Sequence, residues 1–556
     1  MSKFVSSREA ANLIPDHATM AMGGFCGFGS PDELLIGIHN RYVESGHPHG
    51  ITLLKGVSVG DKAERGGSRI ALDGLVKKVI CSHVGLEPAL AKMIEENRCL
   101  AYMIPLGTIT ELLRAAASNK PGVITRCGLE TFADPRLEGS KANAVTVEKG
   151  EDIVSLMNIA GEDCLFYPTI PVDVCIIRGT YADKKGNIVL EHEALQAEQL
   201  EAAEAAHNSG GVVIVQVEDI LDKDFDPRTV KLHHFMVDYI VKARPENHIQ
   251  GYDSPDYRPE ICGESRKIDH QVDPYCISPI LFNHYGKKSQ YNNRTEHIAA
   301  IRQSICELQS KAMPLNDRKV CGRRAAMELK KGALINLGIG MPDSVAAVAD
   351  EEGIADQFTL SIESGVLGGV PLSGLGLGAS TNPEAIYKMP DILNIYDGGG
   401  LDMAVLGLAE IDQQGNVNVS KFGGRVTGPG GFINIAQNTP TVIFIGTFTA
   451  GGLKTSYDGG RWNLLNEGRA LKFKREVEQI TFSGNYAVRT GKKVLVVTER
   501  AVFRLTEQGL MLMEIAPGVD LEKDVLAHME FSPLISDELK LMDERIFIDR
   551  KMNLKI

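Results

Sequence analysis

The feature that most constrains this chain is a set of short, almost wholly apolar runs separated by stretches of helical periodicity. VVIVQV (Val212–Val217), TVIFIGTF (441–448) and KKVLVVT (492–498) carry β-branched residues at successive positions. Such runs belong to strands covered on both faces, as in parallel sheets flanked by helices. Between them, ELLRAAASN (111–119) and EALQAEQLEAAEAAHNSGG (193–211) read as amphipathic helices, the second ending on a glycine pair suited to a helix C-cap. The expected class is α/β with mostly parallel open sheets. At 556 residues, with 43% hydrophobic and 24% charged side chains, the chain needs more than one core and is not a disordered polymer. Its 57 glycines follow no three-residue period, so they mark loops, not a collagen helix.

The two halves resemble each other. SREAANLIPDHATMAM runs into GGFCGFGSPDELL, and RRAAMELKKGALINL runs into GIGMPDSVAAV. Each reads as helix, turn, strand, glycine loop, Pro-Asp and helix. VDVCIIRGTYADKKGNIVLE and LDMAVLGLAEIDQQGNVNVS share an apolar strand, a polar turn and a Gly-Asn hairpin, with the same interval from Asp173 to Gly186 as from Asp402 to Gly415. We expect two related tandem domains, 1–250 and 298–556, meeting at the active site. Residues 251–297, rich in proline, tyrosine and polar side chains, form the expected linker or crossover.

The second half carries the chemistry. In TLSIESGVLGGVPLSGLGLGAS (359–380), Glu363 directly follows an apolar strand. Ligands of open α/β sheets bind beyond the carboxyl ends of strands, so a carboxylate there can act as base, metal ligand or nucleophile. Gly338-Ile339-Gly340-Met341-Pro342 follows the strand ALINL and opens a helix, leaving amides free to hold an anion. Thr427-Gly428-Pro429-Gly430-Gly431-Phe432 can present successive N–H groups to a developing oxyanion. Together with a glutamate at a strand end, these loops point to acyl chemistry.

The ordered set NLGIGMP, SIESGVLGG, GGGLDMAVLG, GPGGF, TERAVFRL and EIAPGVDLEKDV, with MGGFCGFGSPDELL near the start, resembles the family I coenzyme A transferases of the two-domain, single-chain type. That group includes acetate/3-ketoacid and propionate CoA-transferases. The resemblance implies that Glu363 is the catalytic glutamate and that Gly431 and Phe432 supply oxyanion-hole amides. It places CoA or acyl contacts at Gly338, Ile339, Gly340, Met341, Gly400 and Gly430, with the 23–29 loop on the cleft wall. It further implies CoA exchange between a short-chain acyl-CoA and a carboxylic acid such as acetate or a 3-keto acid, through a glutamyl-CoA thioester, in a homo-oligomer, a tetramer in the family. One position departs: Leu106 stands where relatives carry glutamine in a Pro-Gln-Gly run, which favours an apolar acyl group over a dicarboxylate.

No permanently bound cofactor and no metal are expected; coenzyme A enters as substrate and covalent intermediate, and no Cys/His run has metal-ligand spacing. Candidates to face the CoA phosphates are Arg324, Lys330, Lys472, Lys474 and Arg475, each of which otherwise reads as a solvated helix-face charge. His233 and His234 read as packing or hydrogen-bonding residues of a strand, Asp402 as either an orienting residue of the active-site loop or a structural turn aspartate, and GLGLGAS (374–380) as cleft-lining backbone. A net charge of −13, 6% aromatic residues and one tryptophan argue against nucleic acid. With no apolar run near the ~20 residues of a membrane span, no CxxC pair and no apolar leader, the expectation is a cytoplasmic protein with reduced thiols. Two alternatives stand beside the transferase: a thioester hydrolase using the same glutamate, and a non-catalytic metabolite sensor.

Overall fold

The computed structural model describes residues 3–263 and 313–556. The first half builds a seven-stranded, wholly parallel sheet in the order Tyr239–Lys242, Val212–Val217, Val174–Arg178, Thr19–Met22, Ile51–Lys55, Val76–Cys81, Leu100–Met103. Its central strands are buried along nearly their whole length, as Val174, Cys175, Ile176 and Ile177 illustrate at 0% exposure. The second half builds a ten-stranded mixed sheet. Thr359–Ser361, Leu334–Leu337, Met403–Gly407, Thr441–Ile445 and Lys493–Val497 are its parallel centre. Antiparallel pairing begins on either side, at Val366–Leu367 and at Ala501–Thr506.

The internal repeat extends to single hydrogen bonds. Asp173 accepts the Thr19 N–H at 2.7 Å, and Asp402 accepts the Leu334 N–H at 2.8 Å. Both aspartates thus pin the amino end of the neighbouring first strand; Asp402 lies at the sheet edge away from the carboxyl ends, and not in an active-site loop. In the hairpins, Asn187 donates to Asp183 at 2.7 Å and Asn416 to Asp412 at 2.9 Å. Gly186 and Gly415 take the left-handed turn positions with φ of 98° and 79°.

In each sheet the chain order reverses beside the first strand, between Thr19–Met22 and Val174–Arg178 and between Leu334–Leu337 and Met403–Gly407. A crevice at such a reversal is where open α/β sheets receive ligands. One apolar core joins the two halves there, running from Phe25, Phe28, Val57 and Leu106 to Ile362, Val366, Leu372 and Phe432. Arg114 reaches across to Asp391 at 2.5 Å, and the Met389 N–H meets the Gln196 carbonyl at 2.7 Å. The described part of the expected crossover, 251–263, lies on this junction: the Tyr252 N–H meets the Gly27 carbonyl at 3.1 Å and Arg258 pairs with Asp253 at 2.8 Å. The remainder of that stretch lies outside the described residues. His233 and His234 occupy the turn after the strand Val230–Leu232, with His233 exposed, so they are not packed strand residues. No helix among the described residues is long and apolar enough to cross a membrane, and none of the eight described cysteines forms a disulfide.

Candidate active site

Glu363 sits two residues beyond the strand Thr359–Ser361, on a turn closed by the Gly365 N–H to the Ile362 carbonyl at 3.0 Å. The turn needs glycine at 365: φ is 106°, and a Cβ there would stand 2.1 Å from the Tyr387 carbonyl oxygen. Burial pushes the Glu363 carboxyl above its usual range, opposed by a backbone hydrogen bond and by the Asn336 amide. Asn336 is itself held by the Ser361 carbonyl at 3.0 Å. The result is a carboxylate poorly solvated and correspondingly basic, which suits a nucleophile.

Three loops surround it. From the second domain, Gly431 lies directly against the glutamate: a Cβ there would be 3.0 Å from Cγ and 3.4 Å from Cδ of Glu363. The neighbouring amides differ in what they face. Gly430 donates to the Ser82 carbonyl at 3.0 Å and Phe432 donates back to Pro429 at 3.0 Å, whereas the Gly431 N–H has no partner among the described residues. From the first domain, Leu106 is fully buried with its N–H 3.4 Å from the Gly430 carbonyl, and Val84 donates to Thr427 at 2.9 Å. The third loop is 23–29, where Phe25 and Phe28 exchange backbone hydrogen bonds at 2.9 Å. Cys26, at φ 52°, is buried there, its thiol pushed up by burial and further by the charge of Glu363. The 374–380 loop backs this wall, since a Cβ on Gly27 would meet the Leu375 carbonyl oxygen at 2.1 Å and one on Gly378 would meet the Phe25 ring at 2.6 Å.

The strand ends reveal a shelf. Gly338, Gly407 and Gly446 stand at the carboxyl ends of three adjacent strands of the second sheet, as Gly23, Gly56 and Gly179 do in the first. In the first sheet the space is filled: added Cβ atoms would meet Ile177 at 3.0 Å, Glu198 at 2.8 Å and Ile188 at 2.3 Å. The second is more open: a Cβ on Gly338 would meet the Leu406 side chain at 3.2 Å, but nothing lies within 4 Å at Gly407, and only the Lys472 ammonium approaches Gly446 closely, at 3.3 Å. Ile339 beside it is 60% exposed, Gly340 (φ 87°) faces open space, and half-buried Met341 leads into the helix Asp343–Glu352, which has no side-chain N-cap. Exposed apolar surface over a helix N-terminus, with an ammonium nearby, is a place for a long, partly anionic ligand.

Not every expected residue joins this group. Gly400 donates to the Ile395 carbonyl at 2.8 Å and terminates the helix Met389–Asp397 at the amino edge of the sheet. Arg324 is buried in ion pairs with Glu514 (2.9 Å) and Glu328 (2.9 Å), so it has no charge left for a phosphate. Lys330 is exposed before the amino end of Leu334–Leu337, and Lys474 pairs with Glu530 at 2.8 Å, with exposed Arg475 beside it. Of the five basic candidates, Lys472 alone reaches the shelf; burial lowers its pKa while Glu499 raises it.

Several residues of the site escaped the sequence reading. Asn434, in the buried helix Phe432–Gln437, accepts the Gly107 N–H at 3.1 Å and donates to Asp397 at 2.8 Å. Gln437, one turn on, takes the Gly128 N–H at 2.6 Å and donates to the Arg126 carbonyl at 2.6 Å. Two buried amides thus bolt the helix that begins beside Gly431 onto the backbone of the other domain. Under Gly56, Glu198 accepts that N–H at 3.1 Å, while its second oxygen has no partner among the described residues; burial lifts its carboxyl to about 7. For Asn434 and Gln437 the available signal was an amide inside the otherwise apolar run FINIAQ, which is costly unless hydrogen-bonded; Glu198, in a stretch rich in Glu and Gln, offered none.

A family profile described as Coenzyme A transferase matches residues 4–243. The chain is 42% identical over 556 residues to the caffeate CoA-transferase of Acetobacterium woodii, covering 99% of this chain and 98% of that one. The chain belongs to the coenzyme A transferase family. It is also 39% identical to the acetate CoA-transferase YdiF of Escherichia coli K12, over 99% of this chain and 96% of that one. The crystal structure of the acyl-CoA transferase YdiF from Escherichia coli O157:H7, a thioester complex with CoA, superposes with a TM-score of 0.86 at 38% identity, over 100% of this chain and 98% of that one. This CoA-transferase is therefore an enzyme that exchanges CoA between acyl-CoA and a carboxylic acid, and the non-catalytic alternative is set aside. Its fold is of the tandem two-domain α/β class.

Proposed function

We propose that Glu363 is the nucleophile of a ping-pong exchange and that the enzyme acts on acids with an uncharged acyl chain, acetate among them. The observation that carries this reading is the contact between Glu363 and Gly431 at the junction of the two domains. The ionised Glu363 attacks the acyl-CoA carbonyl, giving an acyl-glutamyl anhydride and CoA thiolate. The thiolate then attacks the glutamyl carbonyl, expelling the acid as its carboxylate and leaving a glutamyl-CoA thioester. The acceptor carboxylate attacks this thioester, releasing the thiolate again, which takes the acyl group from the new anhydride and regenerates Glu363.

Each tetrahedral intermediate places negative charge on a former carbonyl oxygen, and the unengaged Gly431 N–H is the donor suited to meet it. Losing such a donor costs on the order of 10²–10³ in rate. The glycine shelf with Ile339, Gly340, Met341 and Lys472 would receive the CoA moiety. Leu106 and Cys26, both buried beside the glutamate's loops, support an apolar acyl side, as do two relatives named for acetate and caffeate, both monocarboxylic acids. We further read the protein as cytoplasmic and self-associating; light scattering of the purified enzyme tests the second point.

The experiment is mass spectrometry after incubation with acyl-CoA donor alone. A CoA adduct on the peptide spanning position 363, absent from Glu363→Gln, is expected; a label on another peptide refutes the assignment. Adding acetate must then yield acetyl-CoA, whereas release of free CoA and acid only would make the enzyme a hydrolase. Succinate is expected to be a poor acceptor.

A further inference from the structure

The amino ends of the adjacent strands Thr19–Met22 and Ile51–Lys55 lie at the pole of the first domain opposite the carboxyl-end loops that line the active site. The two segments leading into them converge. Asp16 and His17 are on one, His47, Pro48 and His49 on the other. Asp16 Oδ2 stands 2.8 Å from the Nδ1 of His47 and 3.1 Å from the Nδ1 of His49. One ligand atom from each of the three residues falls within 4.8 Å of the others, the one such trio among the described residues. A third imidazole, His17, packs edge-on against His49 with ring centroids 4.7 Å apart.

The loop pair is closed by backbone groups and one Asp16 oxygen, without the imidazoles. The His17 N–H already meets the His49 carbonyl at 2.9 Å, and Asp16 Oδ1 accepts the His49 N–H at 2.9 Å. Both Nδ1 atoms approach the Asp16 carboxylate, that of His49 at Oδ2 and that of His47 at both oxygens, 3.0 Å from Oδ1 and 2.8 Å from Oδ2. Side-chain exposures of 50% for His47, 43% for His49 and 29% for Asp16 leave the trio open to ions from solvent.

We propose that Asp16, His47 and His49 form a site for a divalent transition-metal ion, zinc in the first instance. Two imidazoles and one carboxylate are the donor set zinc accepts, with water completing four-coordination. Bonds of about 2.0–2.1 Å in a tetrahedron hold neighbouring ligand atoms about 3.3 Å apart, so the two aspartate–histidine spacings of 2.8 and 3.1 Å need widen by only tenths of an ångström. The ion would tie together the entries of two adjacent strands, so its effect falls on the stability of the first domain and not on CoA exchange.

The test uses the whole enzyme, stripped with a chelator and titrated calorimetrically with Zn²⁺. One equivalent bound per chain is expected, with affinity falling at least about tenfold in His47→Gln and in Asp16→Asn. Zn²⁺ should raise the unfolding midpoint of the wild type but not of His47→Gln/His49→Gln, while exchange rates stay the same in both. The Co²⁺ adduct should show a visible band without the near-ultraviolet charge transfer of thiolate ligands. No binding by the wild type, equal binding by the double variant, or a thiolate signature would each overturn the proposal.

Discussion

Replacing Gly431 by alanine probes the contact on which the catalytic reading rests. The new methyl carbon would stand 3.0 Å from Cγ, 3.3 Å from Cβ and 3.4 Å from Cδ of Glu363. Gly431 has ordinary helical angles, φ −81° and ψ −3°, so alanine introduces no backbone strain and keeps the N–H. The perturbation therefore falls on the glutamate, which must retreat toward the usual carbon–carbon separation of about 3.5–4.0 Å. A displacement of several tenths of an ångström to ~1 Å in a reacting group costs up to ~10²-fold in rate, about 2.7 kcal/mol of transition-state stabilisation. Steady-state exchange between an acyl-CoA and acetate should show kcat/KM reduced by ~10–100-fold, with an unfolding midpoint close to wild type. Gly430→Ala is the control. Its φ of 55° strains any side chain, but its Cβ would meet nothing nearer than the His83 Cβ at 3.9 Å. There stability should fall by about 1–2 kcal/mol, the cost of a left-handed residue. Unchanged kcat/KM in Gly431→Ala, or a loss that simply follows a loss of folded protein, would refute the proposed contact.

Because burial raises the Glu363 pKa and the ionised form is the nucleophile, kcat/KM should fall as pH drops through that raised value, giving an acid limb above the ordinary 4.5 of glutamate; a limb at or below 4.5 contradicts this. Glu198, lifted from 4.5 to about 7 by burial, holds its proton more tightly folded than unfolded. The stability this contributes is complete below pH 4.5 and lost as pH rises through 7, amounting to about 3 kcal/mol. Glu198→Gln keeps the carbonyl acceptor for Gly56 and cannot ionise, so urea unfolding should show it gaining about 3 kcal/mol on wild type between pH 4 and pH 8; parallel curves would exclude the effect. Asn434→Leu strands the Gly107 N–H and Asp397, at about 1–3 kcal/mol per unpaired group, and should lower exchange more than its stability loss explains. Full activity in that variant would show the inter-domain clamp to be dispensable.

Much of the architecture follows from local pattern. Buried strands must be apolar on both faces, so VVIVQV could be read as the strand Val212–Val217 directly, and equal spacing of Asp173/Gly186 and Asp402/Gly415 exposed the duplicated hairpin. Glu363 at a strand end was legible for the same reason: backbone hydrogen bonding dictates periodicity over a few residues, and the residue after the last apolar position must face the crevice. What tertiary structure decided is which loops meet. Gly400 and Gly431 both sit in glycine-rich segments, yet sheet order sends one to the amino edge and the other against Glu363. Arg324 resembled a free cation until Glu514, far along the chain, was folded against it. What Asn434, Gln437 and Glu198 bind could not be read locally, because their partners Gly107, Gly128 and Gly56 lie on elements distant in sequence. Such pairings depend on how two domains pack, and no short window of sequence encodes that.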